Sequence, residues 1–380
     1  MDDQDGSYGE LGYIIVGLLV VTWDGGSGVC ALEAREHLYK PPVPTGCDSQ
    51  RMISPEPDSH SYRTQLDHRR SGKRRRHPVA AAIVGAIVVL LLGNSVVTAH
   101  QSVAATGEST MTVDGQDIHV GQAGPDGAPT LVLIHGLAAS THWWDQLVPL
   151  LTDSYHVIRL DLLGHGSSAK PDGDGYSIPQ QGNRVAAVLE QLGIRHAIVI
   201  AHSTGGSVAT SLAEQRPDLV TALALIGTGP SLADDTSDSP VSRLLTTPVV
   251  GEALWQLRTD GFLRQASSSA FATDDFPVPQ QFVDDLRGMT YHSITATMAA
   301  AIDYLNQRAL PDRLTALGKP LLVIFGEQDR RWRYSTSTAE YRTVPGATVV
   351  TMPGVGHSPL VEDPTRTAEI LLSFTGIHVS

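Results

Sequence analysis

One stretch, Ile198-Val199-Ile200-Ala201-His202-Ser203-Thr204-Gly205-Gly206-Ser207-Val208-Ala209, forces a sharp local geometry on any fold that contains it. A run of β-formers ends at Ala201, and a helix-like run begins just after Ser203. Strand, tight turn and helix follow one another, with a serine at the apex. Such a turn needs φ > 0 at the serine, and small neighbours on both sides relieve the crowding. The side chain then stands clear of the backbone at a helix N-terminus, where free N–H groups and the dipole favour a developing anion. An S-x-G alone also fits an ordinary N-cap serine, so the surrounding chain has to decide.

From about residue 108 the chain supplies that context. Residues 111–120 read as two short strands around Asp114-Gly115, a hairpin signal. Apolar strand-like runs follow at 130–135, 156–161, 197–201, 222–226, 320–325 and 347–352. Helical stretches lie between or after them at 143–151, 180–192, 206–215 and 366–374. Buried strands alternating with helices predict a mostly parallel sheet covered on both faces. The alternation fails between 229 and 317, where only helical runs occur, at 240–245, 251–257, 280–289 and 294–307. That span is too long for a plain connection.

A serine hydroxyl needs a base, a group to orient the base, and donors for an oxyanion. The base candidate is His357 in Gly354-Val355-Gly356-His357-Ser358-Pro359, on a glycine-rich loop after the last strand. The acid candidate is Asp329, just past the strand end in Phe325-Gly326-Glu327-Gln328-Asp329; Glu327 is the second choice. Open α/β sheets carry their ligands at such strand ends. Gly227-Thr228-Gly229 leave no acid directly after the strand at 222–226.

These motifs, in this order, resemble the α/β-hydrolase fold family. The elbow departs from G-x-S-x-G only in Ala201, which is still small. The resemblance implies the chain order Ser, acid, His, a core at 108–229 and 318–380, and a helical cap inserted at 230–317. It favours Asp329 over Glu327 through the pattern G-x-x-D. It implies oxyanion donors on the backbone N–H groups of Leu137, in a His-Gly-x loop, and Thr204. Asp161-Leu162-Leu163-Gly164-His165-Gly166-Ser167-Ser168 is similar to the family's D-x-x-G-x-G-x-S loop, with a structural role. His135, His165 and His202 read as scaffold, and Glu362-Asp363-Pro364 as the cap of the final helix. Trp143 and Trp144 stand either at a substrate pocket or in the core. Dehalogenases and epoxide hydrolases of the family carry aspartate at the elbow, so Ser203 argues against both.

The chain of 380 residues has a formal net charge of −13, which gives no sign of nucleic-acid binding. Its two cysteines, Cys30 and Cys47, both precede the hydrolase-like region, so that region has no thiolate nucleophile, disulfide framework or Cys-based zinc site. No H-E-x-x-H or comparable cluster suggests a metal, and no cofactor is expected. Residues 1–77 read as a disordered tail, a small interaction segment, or the product of a start codon placed too far upstream, with Met52 as a later start. The basic cluster 69–76 precedes the apolar run 79–93, which Val96-Val97 extend. Residues 78–99 thus read as the h-region of a secretory signal, cut near Ala99 or Ala104, or as a transmembrane anchor. Either way, positive-inside places the hydrolase region outside the cytoplasm, secreted or membrane-anchored through residues 79–97.

The sequence therefore predicts an extracytoplasmic serine hydrolase acting on small to medium, rather apolar ester substrates. Amide, lactone and C–C bond hydrolysis remain open to the same three residues, as does a low-turnover binding or sensing protein on this fold.

Overall fold

Eight strands form one sheet in the order β1-β2-β4-β3-β5-β6-β7-β8. They are β1 (Glu108–Val113), β2 (Gln116–Ala123), β3 (Thr130–Ile134), β4 (His156–Leu160), β5 (Ala197–His202), β6 (Val220–Ile226), β7 (Leu321–Gly326) and β8 (Thr348–Met352). The computed structural model describes residues 107–237 and 240–378. The tail expected at 1–77 and the signal or anchor expected at 78–99 lie outside the described residues. The strands from β4 to β8 in that order run parallel, and β1 and β2 pair antiparallel at one edge. Asp114 and Gly115, both at positive φ, make the two-residue turn between them, as the Asp-Gly pair predicts.

Every residue of β5 and of β7 is buried, because helices cover both faces. Alternate side chains point to opposite sides. Val132, Ile134, Val199 and Ala201 join one core with helices α1 (Ile178–Gln191) and α2 (Thr204–Gln215). Leu131, Leu133, Ile198 and Ile200 join the other. Trp143 and Trp144 belong to that second core, 6% and 0% exposed. Of their two readings the structure has core packing, with Trp143 stacked on Phe282, Phe271 and His202. The helix read at 143–151 is instead two short 3-10 turns, Thr141–Trp144 and Val148–Leu150. Pro149 has no N–H to continue a helical ladder there.

Between β6 and β7 the chain is helical: α3 (Pro240–Leu245), α4 (Val250–Gln256), α5 (Asp260–Ser267), α6 (Gln280–Gly288), α7 (Tyr291–Gln307) and α8 (Leu310–Leu317). This insert has a small core of its own, with Trp255, Leu263, Val283, Leu286 and Met289 buried together. Beyond β7 come α9 (Tyr334–Tyr341), α10 (Pro359–Glu362) and α11 (Pro364–Thr375). Asp363 caps α11 by accepting from Arg366 N. Glu362, read with it as a cap, does something else, described below. Among the described residues no helix is long and apolar enough to cross a membrane.

Candidate active site

Ser203 sits between β5 and α2 with φ 52° and ψ −126°. A non-glycine residue in this region is strained, and the neighbours supply the room. A Cβ on Gly205 would fall 2.5 Å from the carbonyl oxygens of Ile134 and His135, and one on Gly136 would fall 2.9 Å from the Ser203 Cβ. Glycine is thus required on both sides of the serine. Ala201 is fully buried in the core, so the methyl group that departs from the family motif is absorbed by packing. The turn is tied down by Ser203 N donating to Ile226 O at 2.9 Å and Thr228 Oγ1 donating to Ser203 O at 3.1 Å.

His357 lies on the loop after β8, with its side chain fully buried. Its Nε2 is 3.0 Å from Ser203 Oγ and its Nδ1 is 2.9 Å from Asp329 Oδ2. The carboxylate only accepts, so the ring proton sits on Nδ1 and leaves Nε2 free to accept from the serine. The other oxygen of Asp329 accepts from Arg331 N at 2.8 Å and Trp332 N at 3.1 Å. Asp329 is thus a fully partnered acid at the end of β7. Glu327 points elsewhere: its Oε1 accepts from Thr351 Oγ1 at 2.9 Å. Of the two acids weighed in the sequence, Asp329 is the one that meets the histidine.

Leu137 and Thr204 line the same cavity as Ser203. Thr204 opens α2, so its N–H is one of the donors without an intrahelical acceptor. Leu137 precedes Ala138, which adopts φ 60° and turns the loop back on itself. The cavity encloses about 130 Å³, and its walls include Leu232, Met298, Ile302 and Leu305 from the insert and the loop before it. Neither Trp143 nor Trp144 reaches it.

The three scaffold histidines have identifiable tasks. His202 donates from Nε2 to the carbonyl of His357 at 3.0 Å. Burial, then the neighbouring His357, push its pKa well down, so it stays neutral there. His135 accepts from Leu162 N at its Nε2, so its Nδ1 donates to Gly136 O at 2.7 Å. Burial lowers its pKa also. His165, likewise buried, is pushed down to about 3. Asp161, in the loop after β4, accepts from Thr141 N, Ser167 N and His119 Nδ1. Burial raises its pKa, but the bond to His119 and the nearby histidine charges outweigh that and hold it far below the usual range. The loop's role is structural.

Two contacts escaped the sequence reading. Glu362 accepts from Gly356 N at 3.0 Å and Ser358 N at 3.1 Å, on either side of His357, and from Ala272 N of the insert at 2.8 Å. Burial still raises its pKa, against those bonds. Asp285 of α6 accepts from Ser140 Oγ at 2.5 Å and faces His142 Nδ1 at 3.2 Å. Both contacts tie the insert to a loop at the site. Their only sequence signal is an acid five residues past a histidine, or one within a helix, too common to single out.

A family model described as the alpha/beta hydrolase fold matches residues 129–364. An uncharacterised protein of Mycobacterium tuberculosis is 29% identical over 259 residues, which cover 65% of this chain and 75% of that protein. The uncharacterised hydrolase YugF of Bacillus subtilis is 25% identical over 273 residues, 69% of this chain and 96% of its own. Among solved structures, a membrane phospholipase A described as a bacterial virulence factor superposes with a TM-score of 0.58. It is 28% identical, and the match covers 79% of this chain and 94% of that one.

Proposed function

The chain belongs to the α/β-hydrolase fold family, and from that premise we propose that it is a serine-dependent carboxylic ester hydrolase of small to medium, largely apolar substrates. The observation that carries this reading is the unbroken line Ser203 Oγ, His357, Asp329, at 3.0 Å and 2.9 Å, opening on a mostly apolar cavity. The similarity to a membrane phospholipase A agrees with it.

Ser203 Oγ attacks the ester carbonyl while His357 Nε2 takes the serine proton. The oxyanion that forms faces the N–H groups of Leu137 and Thr204, where fixed donors in a site shielded from water stabilise it most. His357 returns the proton to the departing alcohol, leaving the acyl group on Ser203. A water then gives its proton to His357 and attacks the acyl carbon; the acid leaves and the serine is restored. Asp329 holds the imidazole in the tautomer that can accept and balances the imidazolium charge.

The test is a folded Ser203→Ala variant on chromogenic esters of graded chain length, with labelling by a fluorophosphonate. Ester turnover falls by a factor on the order of 10³ or more and labelling disappears. Retention of most turnover in Ser203→Ala sinks the mechanism. Labelling of the wild type without turnover of any ester moves the reading to another bond or to a binding role.

We further propose that the hydrolase lies outside the cytoplasm, on the strength of the basic cluster 69–76 and the apolar run from 79. Fractionation with N-terminal sequencing decides it. A chain starting near His100 or Ala105 in the medium means cleavage, and an intact chain in the membrane fraction, open to external protease, means an anchor. A full-length chain in the soluble cytoplasm refutes export.

A further inference from the structure

Two charged side chains, Arg331 and Asp235, stand among the described residues lining the cavity in front of Ser203, in a wall whose exposed area is otherwise mostly apolar. Arg331 lines it, two residues beyond Asp329, and is partly buried. Its Nε donates to Ser269 Oγ at 3.2 Å, and its two terminal nitrogens have no hydrogen-bond partner among the described residues. Burial lowers the pKa of the group, while Asp329 and Asp235 act the other way. Neither carboxylate forms an ion pair with Arg331 among the described residues, and Asp235 uses only its Oδ1 in the bonds it makes. Asp329 serves His357 and two backbone N–H groups, and Asp235 accepts the N–H and hydroxyl of Ser237 at 2.7 Å and 2.6 Å.

Neighbouring arginines show how different this is. Arg330 pairs with Asp274 at 2.7 Å, and Arg313 with Glu214 at 3.0 Å. Arg258 gives its two terminal nitrogens to the carbonyls of Trp255 and Arg287. Each of these charges is spent within the protein. A guanidinium kept half out of water without a partner costs free energy. It also leaves two parallel N–H donors whose fork matches a carboxylate.

We infer that Arg331 is a specificity-determining residue that receives a carboxylate of the substrate. The esters this site favours then carry an apolar chain that ends in an anionic group. Leu232, Met298, Ile302 and Leu305 take the chain, and Arg331 takes its end. The inference rests on the reading of this pocket as an ester-hydrolase site and narrows its substrate class.

The experiment compares monomethyl succinate, glutarate and adipate with the uncharged methyl esters of the same chain length, following methanol release. Wild type favours at least one half-ester over its neutral counterpart tenfold or more in kcat/KM, mainly through KM. Arg331→Gln lowers that ratio at least tenfold, and Arg331→Lys recovers part of it. A wild type that turns over the neutral esters and rejects every half-ester overturns the inference, as does an unchanged ratio in Arg331→Gln. If no ester is hydrolysed, the ester reading fails by itself, and calorimetry with glutarate and pentanoate decides the role of Arg331. Glutarate binding at least tenfold tighter than pentanoate in wild type, with the gap closed in Arg331→Gln, upholds it. Equal binding of the two acids by wild type refutes it.

Discussion

Asp329→Asn separates the catalytic task of this side chain from its structural one. Oδ1 of Asp329 accepts two backbone N–H groups, from Arg331 at 2.8 Å and Trp332 at 3.1 Å. An amide nitrogen cannot accept, so the asparagine must put its carbonyl oxygen there. Its NH2 is then forced into the place of Oδ2, 2.9 Å from His357 Nδ1. There it donates to Nδ1 and drives the ring proton to Nε2, the atom that faces Ser203 Oγ at 3.0 Å. The base now donates to the serine it should deprotonate. The loss in kcat is on the order of 10⁴, which is about 5.5 kcal/mol of transition-state stabilisation.

Two companions sharpen the argument. Asp329→Ala loses the two loop bonds but leaves the tautomer free. It is therefore less stable than Asp329→Asn, yet at least as active. Glu327→Gln keeps an oxygen to accept from Thr351 and stays within about threefold of wild type, since nothing it touches is lost. The assays are steady-state kinetics on a chromogenic ester and urea unfolding of each variant. An Asp329→Asn enzyme with more than a tenth of wild-type kcat, or one clearly more active than Asp329→Ala, refutes the tautomer argument.

Acid should weaken the fold. Burial depresses the pKa values of His135, His165 and His202, so the unfolded chain takes up protons below about pH 6.5 that the folded one refuses. The stability these residues carry is present above that pH and lost below it, about 1.4 kcal/mol for each of His165 and His202 by pH 5.5, with His135 acting in the same direction. The raised pKa values of His119 and His142, held up against burial by Asp161 and by Asp285 respectively, offset part of this. Urea unfolding at pH 7.5 and 5.5 checks the balance, and equal or greater stability at the lower pH contradicts it. Asp285→Ala removes the acceptor that Ser140 and His142 share, leaves those two side chains to each other at 3.0 Å, and lowers unfolding free energy by about 1.5 kcal/mol. A loss below about 0.5 kcal/mol in the same assay means that this contact does not hold the insert. His357→Ala abolishes ester turnover, by a factor on the order of 10³ or more, in a chain that still folds, though it unfolds earlier because buried Asp329 loses its partner; full turnover in this variant excludes it as the base.

The parallel strands were legible because each is an apolar run bounded by turn residues, and that pattern survives without any tertiary knowledge. The elbow was legible because only small residues fit around a serine at positive φ. Strand ends in an open sheet carry the chemistry, which brought Asp329 and Glu327 forward together; the family resemblance, not spacing, chose Asp329 between them and His357 among fifteen histidines. The cavity wall was not legible. Met298, Ile302 and Leu305 share one face of α7 at i, i+4 and i+7, but helical spacing does not say which surface that face meets, and nothing in the sequence joins Leu232 to it. The 3-10 turns around Trp143 were misread as a helix because apolar periodicity cannot register how Ser140 caps a short turn. Arg331 carried no signal in a run of arginines where the partners of the others lie far off in the chain.

Three of the loops near the site are fastened by a carboxylate accepting backbone N–H groups. Asp161 holds Thr141 and Ser167, Asp329 holds Arg331 and Trp332, and Glu362 holds Gly356, Ser358 and Ala272. Bonds to an ionised acceptor are worth roughly 1.5–3 kcal/mol each, more than neutral ones. Of the three acids, Asp161 holds Thr141 close to Ala138, a non-glycine residue at positive φ that would relax if its loop were loose. Because the donors are main-chain groups, any residue can supply them, so the fastening leaves a trace in the sequence only at the acid. Glu362 joins the insert to the histidine loop, and Asp285 joins it to the loop after β3. A shift of the insert therefore pulls on both the His357 loop and the loop that carries Leu137, and under the proposed mechanism replacing either acid lowers kcat as well as raising KM; a change in KM alone refutes the coupling.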